Sequence, residues 1–220
     1  MKNKFGFTLA EVLITLGIIG VVAALTMPTL IQNYKKNVLS TRISKFASTY
    51  QQAVKMVEAE HGDFSQWQYD NIDNTNFNST GKEYLKHYNK YMNKYLKTVS
   101  HKVLPDGVAF LLSDGSGFIY YYDLKYCVDF KKCLAIIEKA ETDEGFAAKN
   151  GGYVDGKNVF LFSRSGKPYT YRWSGDINDL ITGGNFASGI YGCAKRTHLY
   201  CTKLLEVNGW KVPDNYPIKL

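Results

Sequence analysis

The residues best placed to do chemistry lie within the first eleven. Glu11 is the one charged side chain between Phe7 and Tyr34. It stands at the head of a 20-residue apolar run, Val12–Ile31. At about 1.5 Å per residue such a run can cross a hydrocarbon core ~30 Å thick. A carboxylate costs roughly 2.5–3.5 kcal/mol at mid-membrane and less near an end, while each Leu, Ile or Val contributes about 0.3–0.6 kcal/mol toward insertion. Eleven such residues fill the run, so insertion wins with Glu11 included. A carboxylate kept in that setting is read as functional. Gly6 has no side chain, which leaves the bond to Phe7 accessible at a membrane boundary. A cut there would place a free Phe7 amine one helical turn from Glu11, and the two attract strongly where the dielectric is low. An ordinary signal peptide fits poorly. Its apolar core spans 7–15 residues and ends at a small-x-small site, whereas Leu25 here is followed by Thr-Met-Pro-Thr. A plain anchor accounts for the length of the run but not for the glutamate.

Gly6-Phe7-Thr8-Leu9-Ala10-Glu11 followed by an apolar run resembles the processing motif of the type IV pilin superfamily, which includes the pseudopilins of type II secretion and DNA-uptake systems. Ala10 replaces a larger aliphatic residue often found before the glutamate. The resemblance is strong over residues 1–34 and weak beyond. It implies cleavage between Gly6 and Phe7 by a prepilin peptidase, N-methylation of Phe7, and assembly through Glu11 and Pro28. It also implies other pilin or pseudopilin subunits, an inner-membrane assembly platform and membrane lipid as partners. The chain would then be a single-pass protein of the inner (cytoplasmic) membrane with its head outside the cytoplasm, or part of an extracellular filament. Lys2 and Lys4 hold the leader inside. Lys35, Lys36, Arg42 and Lys45 follow the span and outnumber them, so the positive-inside rule is not cleanly obeyed.

Those residues need a long helix. Pro28 removes one helical hydrogen bond and should kink or loosen the helix there. Gly17, Gly20, Ala23 and Ala24 form a small-residue face suited to close helix packing or to lipid. Beyond Tyr34, Leu39, Ile43, Phe46, Tyr50, Ala53 and Val57 recur at alternating steps of four and three, an apolar stripe on an amphipathic helix. Gly62 is a natural stop. The expected division is a leader over 1–6, a span or filament core over 7–34, a spine helix over 35–61 and a globular head over 62–220.

The head reads as α+β with an antiparallel sheet packed on the long helix. Asp63–Ser79 reads as loop. Thr80-x-x-Glu83 is a capping box that opens a second, tyrosine-rich helix. Gly107–Leu112 and Phe118–Leu124 flank a Ser-Asp-Gly-Ser-Gly turn, and Asn158–Ser163 and Pro168–Trp173 flank another, which predicts two hairpins and four strands. Ala135–Tyr153 and Ser174–Gly192 read as loop-rich, and His198–Asn208 as a short helix. Trp210 is expected to pack back on the head.

Four cysteines, Cys127, Cys133, Cys193 and Cys201, suit disulfides in a head outside the cytoplasm. Spacing favours Cys127–Cys133 and Cys193–Cys201, although four cysteines allow three connectivities. Neither pair has the usual zinc spacing. Gly151–Lys157 matches a phosphate-loop pattern, but Asn158 stands where Ser or Thr should be, and a β run follows instead of a helix. His61, His87, His101 and His198 form no catalytic or metal spacing and read as surface residues. Asp176, Asn178 and Asp179 offer oxygens to calcium but lack the EF-hand pattern and read as a solvated loop. No metal, cofactor or enzyme activity is expected. The formal net charge of +7 falls to +5 without Lys2 and Lys4. The lysines within 82–102 keep open an alternative, a minor subunit whose head binds DNA or a surface.

Overall fold

The computed structural model of the chain describes residues 8–67, 80–142, 154–184 and 190–220. One helix dominates. α1 (Leu9–His61) has 53 residues and is about 80 Å long. It runs as one helix past Pro28. Thr8 caps it, and Gly62, at φ 83°, ends it with its N–H donated to the Glu58 carbonyl. Only glycine takes that backbone conformation without a Cβ penalty.

The two halves of α1 live in different surroundings. No residue from Thr8 to Val38 is buried. From Leu39 onward the stripe is buried residue by residue: Leu39, Ile43, Phe46, Tyr50, Ala53 and Val57, with Ala47 and Val54 beside it. Among the described residues, the stripe buried against the head lies wholly in this second half.

α2 (Gly81–Tyr91) begins at the expected cap, where the Glu83 carboxylate accepts from the Thr80 N–H. Tyr84, Tyr88 and Tyr91 are buried on its inner face. The sheet that follows is an antiparallel meander, β1 (Ser100–Val103), β2 (Val108–Leu111), β3 (Gly117–Tyr120), β4 (Leu124–Cys127) and β5 (Val159–Phe162), in that spatial order. Its register aligns Phe110 with Phe118, Phe118 with Tyr126, and Tyr126 with Phe160. Because side chains alternate across a strand, these aromatics share one face. That face meets α1 and α2. The other face carries Ala109, Ile119, Cys127 and Val159 under α3 (Phe130–Thr142). Gly117 lets α3 approach, since a Cβ there would lie 2.3 Å from the Phe130 ring. Two short helices, α4 (Ile177–Thr182) and α5 (Cys201–Val207), complete the described head. Trp210 returns to stack on Phe162 with ring centroids 6.3 Å apart.

The architecture is α+β as expected, with corrections in detail. Five strands are present among the described residues, not four. Pro168–Trp173 forms no strand and makes only one bridge, from Pro168 to Phe162. Proline donates nothing to a ladder, and Arg172 at φ 59° turns the chain away. The apolar run Phe118–Leu124 is broken, so that Leu124 opens β4 rather than closing β3. The stretch read as loop from Ala135 is helical through Thr142, and Ser174–Gly192 contains α4.

Candidate assembly and processing site

Gly6 and Phe7 lie outside the described residues, so the site is built from Thr8 onward. The Glu11 carboxylate turns back on the helix start. Its Oε2 accepts from the Thr8 N–H and the Thr8 hydroxyl, both at 2.8 Å, while the Glu11 N–H donates to the Thr8 hydroxyl at 3.3 Å. This closed capping box satisfies orphan donors of the first turn. It also fixes the carboxylate at the helix N-terminus, where the positive end of the helix dipole favours negative charge. Thr15 and Thr26 return their hydroxyls to carbonyls of the turn before, Glu11 and Val22, which satisfies both within the helix.

Every Leu, Ile, Val and Met from Leu9 to Ile31 is exposed. An added Cβ at Gly17 or Gly20 would meet nothing within 4 Å. Among the described residues, α1 is the one helix long and apolar enough to cross a membrane. Apolar exposure on this scale marks a surface meant for lipid or for other helices. Pro28 sits within it, six residues before Tyr34.

The structure brings the cysteines together as two local pairs. Cys127 and Cys133 have Cα atoms 5.7 Å apart, and Cys193 and Cys201 4.5 Å. The first pair ties the end of β4 to the first turn of α3. The second clasps the loop before α5 to that helix. All four cysteines are buried. Loops this short give on the order of 2–3 kcal/mol each through chain entropy. Peptide mapping without reduction is expected to find these two links in protein recovered from the cell envelope. Four freely alkylated thiols would contradict them.

The remaining sequence candidates resolve differently. His87 is not a surface residue: it is buried on α2, 2.8 Å from the Tyr120 hydroxyl. Burial, chiefly, pushes its pKa down to about 3, so the imidazole stays neutral. The sequence signal was its spacing, since His87 falls between Tyr84 and Tyr91 on the buried face of α2. Asp176 caps α4 through the Asn178 N–H, and Asp179 accepts from Ser174. Among the described residues, no group of three or more His, Cys, Asp or Glu could hold a metal. Gly151–Tyr153 lie outside the described residues, and Lys157 leads into β5. Lys82, Lys86, Lys90, Lys94 and Lys97 are all exposed along and just beyond α2. Lys94 is paired with Glu60 and Lys102 with Glu138.

Comparison with known families adds two findings. Residues 29–220 match a family described as "Family of unknown function (DUF6613)". The chain belongs to this family. Residues 1–27 match the prokaryotic N-terminal methylation motif, the signature of type IV pilins and pseudopilins. The DUF6613 head is thus carried on a pilin-like precursor, and the motif implies processing by a prepilin peptidase and assembly with other subunits. The exposed apolar helix fits a single-pass, membrane-anchored pilin. No curated protein and no solved structure matches the chain.

Proposed function

We propose that this protein is a structural subunit of a type IV pilus or of a secretion or competence pseudopilus. Its leader, residues 1–6, is removed between Gly6 and Phe7, and Phe7 is methylated. Residues 7–34 anchor the subunit in the inner membrane, with the head outside the cytoplasm, until an assembly platform extracts it into a filament core. Residues 35–61 are the spine and 62–220 the displayed head. Two local disulfides hold the head. The observation that carries this reading is the methylation motif at residues 1–27, joined to a helix none of whose described residues before Leu39 is buried. That stretch has to be covered by lipid before assembly and by neighbouring helices after it. Co-expression with a prepilin peptidase is expected to shorten the membrane-bound protein by its six-residue leader. The same length with and without active peptidase would overturn the proposal.

A second reading rests on one observation, the exposed lysines of α2. Lys82, Lys86 and Lys90 recur at four-residue steps, so they lie along one side of the helix. A head that binds DNA would use such a row on phosphates. Replacing Lys82 and Lys86 by Gln is then expected to weaken duplex binding about tenfold and to lower its salt dependence. An unaltered protein that retains no DNA at low salt would dismiss this reading.

A further inference from the structure

A pocket of about 320 Å³ opens beside α1 directly after the apolar run. Tyr34, Val38 and Leu39 form its α1 wall, and Ile136 of α3 belongs to the same lining. Tyr34 follows Ile31 by three positions and Leu39 by eight. At about 1.5 Å per residue, this wall climbs from roughly 5 Å to roughly 12 Å beyond the end of the run. Headgroups occupy about 5–8 Å outside each face of a hydrocarbon core. With Val12–Ile31 in the membrane, the pocket begins at headgroup depth and continues the lipid-facing surface of the helix.

Its lining is of two kinds. Val38, Leu39 and Ile136 are apolar, and Tyr34, 70% exposed, is an aromatic at the depth where aromatic belts form. Lys35, Lys132 and Lys157 add positive charge. The two aspartates of the lining are engaged within the protein. Asp155 Oδ1 accepts from the N–H groups of Lys157, Asn158 and Val159 at 2.9, 2.7 and 2.7 Å. Asp129 Oδ1 accepts from the Lys132 N–H at 3.2 Å, and its Oδ2 lies 3.4 Å from the Lys132 Nζ. Lys35 donates to a main-chain oxygen of Leu220 at 3.4 Å, which holds that residue in the wall. A free anion would leave the apolar walls bare, and an apolar ligand would leave the lysines unmatched. A second copy of the chain, itself basic, offers the lysines little.

We infer that this groove seats an anionic phospholipid of the leaflet beside the head, its upper acyl chain against Val38, Leu39 and Ile136 and its headgroup near Lys132 and Lys157. The inference rests on the reading of residues 7–34 as a membrane anchor and deepens it: before assembly the head is docked on the bilayer as well as tethered to it. Apolar contact supplies the seat. The lysines supply the preference for negative lipid, which acts only within about a Debye length of the surface. Drawing the subunit into a filament then means pulling this groove off its lipid.

The test is photocrosslinking of the full chain in vesicles of phosphatidylcholine and phosphatidylglycerol, with a benzophenone side chain in place of Ile136. A control carries the same probe in place of Met56, an exposed residue of α1 about 38 Å beyond Ile31. The Ile136 probe is expected to link to lipid, with phosphatidylglycerol favoured, and the Met56 probe is not. Lys157→Gln, at an exposed position that does not threaten the fold, should cut the preference for phosphatidylglycerol by about fivefold. Protein that stays in the membrane through an alkaline wash but gives no lipid adduct at Ile136 would overturn the inference and leave the anchor standing. Adducts only to a second copy would overturn it too, as would equal labelling of the two lipids. Release of the parent by the wash would overturn the anchor and the inference together.

Discussion

Phe46→Ala is expected to destabilise the head by about 3–5 kcal/mol, the range for truncating a buried aromatic. Phe46 is the point where the spine helix enters the sheet. It stacks on Tyr126 at 4.3 Å and contacts Phe118 at 5.8 Å and Phe162 at 5.6 Å. It also meets Tyr50, one turn on, at 5.5 Å. These partners come from β3, β4, β5 and α1, so removing the ring opens a cavity that no single element can relax to fill. Domains of this kind hold roughly 5–15 kcal/mol in all, so the loss is a large share. Denaturant unfolding of the full chain in detergent reads it directly. A loss under about 1 kcal/mol would show that the head does not depend on this junction.

Glu11→Val should have the largest effect on assembly. The variant is expected to insert and be cut normally, because insertion becomes easier without the carboxylate. It should then form almost no filaments. The parent carboxylate is held by Thr8 in the uncut chain. Once cleavage exposes a Phe7 amine, a stronger partner exists, in its own chain or in a neighbour. An unpaired carboxylate in lipid is costly, so in the proposed assembly its demand for that amine would set the register of the incoming subunit. Normal filament numbers from Glu11→Val as the sole copy would refute this role. Immunoblotting for the cut form separates a failure of assembly from a failure of processing.

The long helix and its change of character were legible because periodicity carried them. Leu39, Ile43, Phe46, Tyr50, Ala53 and Val57 are apolar in sequence and buried in the fold. Capping chemistry placed the start of α2, and Gly62 the end of α1. α3 was less visible. Phe130, Cys133, Leu134 and Ile137 follow the i, i+3, i+4, i+7 pattern, but only if Cys133 counts as apolar, and beginning a window at Ala135 cuts the pattern away. β1 had no sequence signal: Ser100–Val103 is an edge strand whose four residues are all exposed, so no alternation marks it. Pro168–Trp173 looked like a strand because its aromatics mimic one, and the missing proline donor decided otherwise. His87 sat at the spacing of the buried face of α2, between Tyr84 and Tyr91, but its polar type alone read as surface. Whether a polar group is buried depends on the residues the fold places around it.

The central claim is that the chain is a processed pilin-like subunit, and its most direct test is mass spectrometry of the N-terminal peptide from assembled filaments. The account predicts a peptide that begins at Phe7 and carries one added methyl group. An intact Met1 in those filaments, or a first residue beyond Leu25, would contradict it.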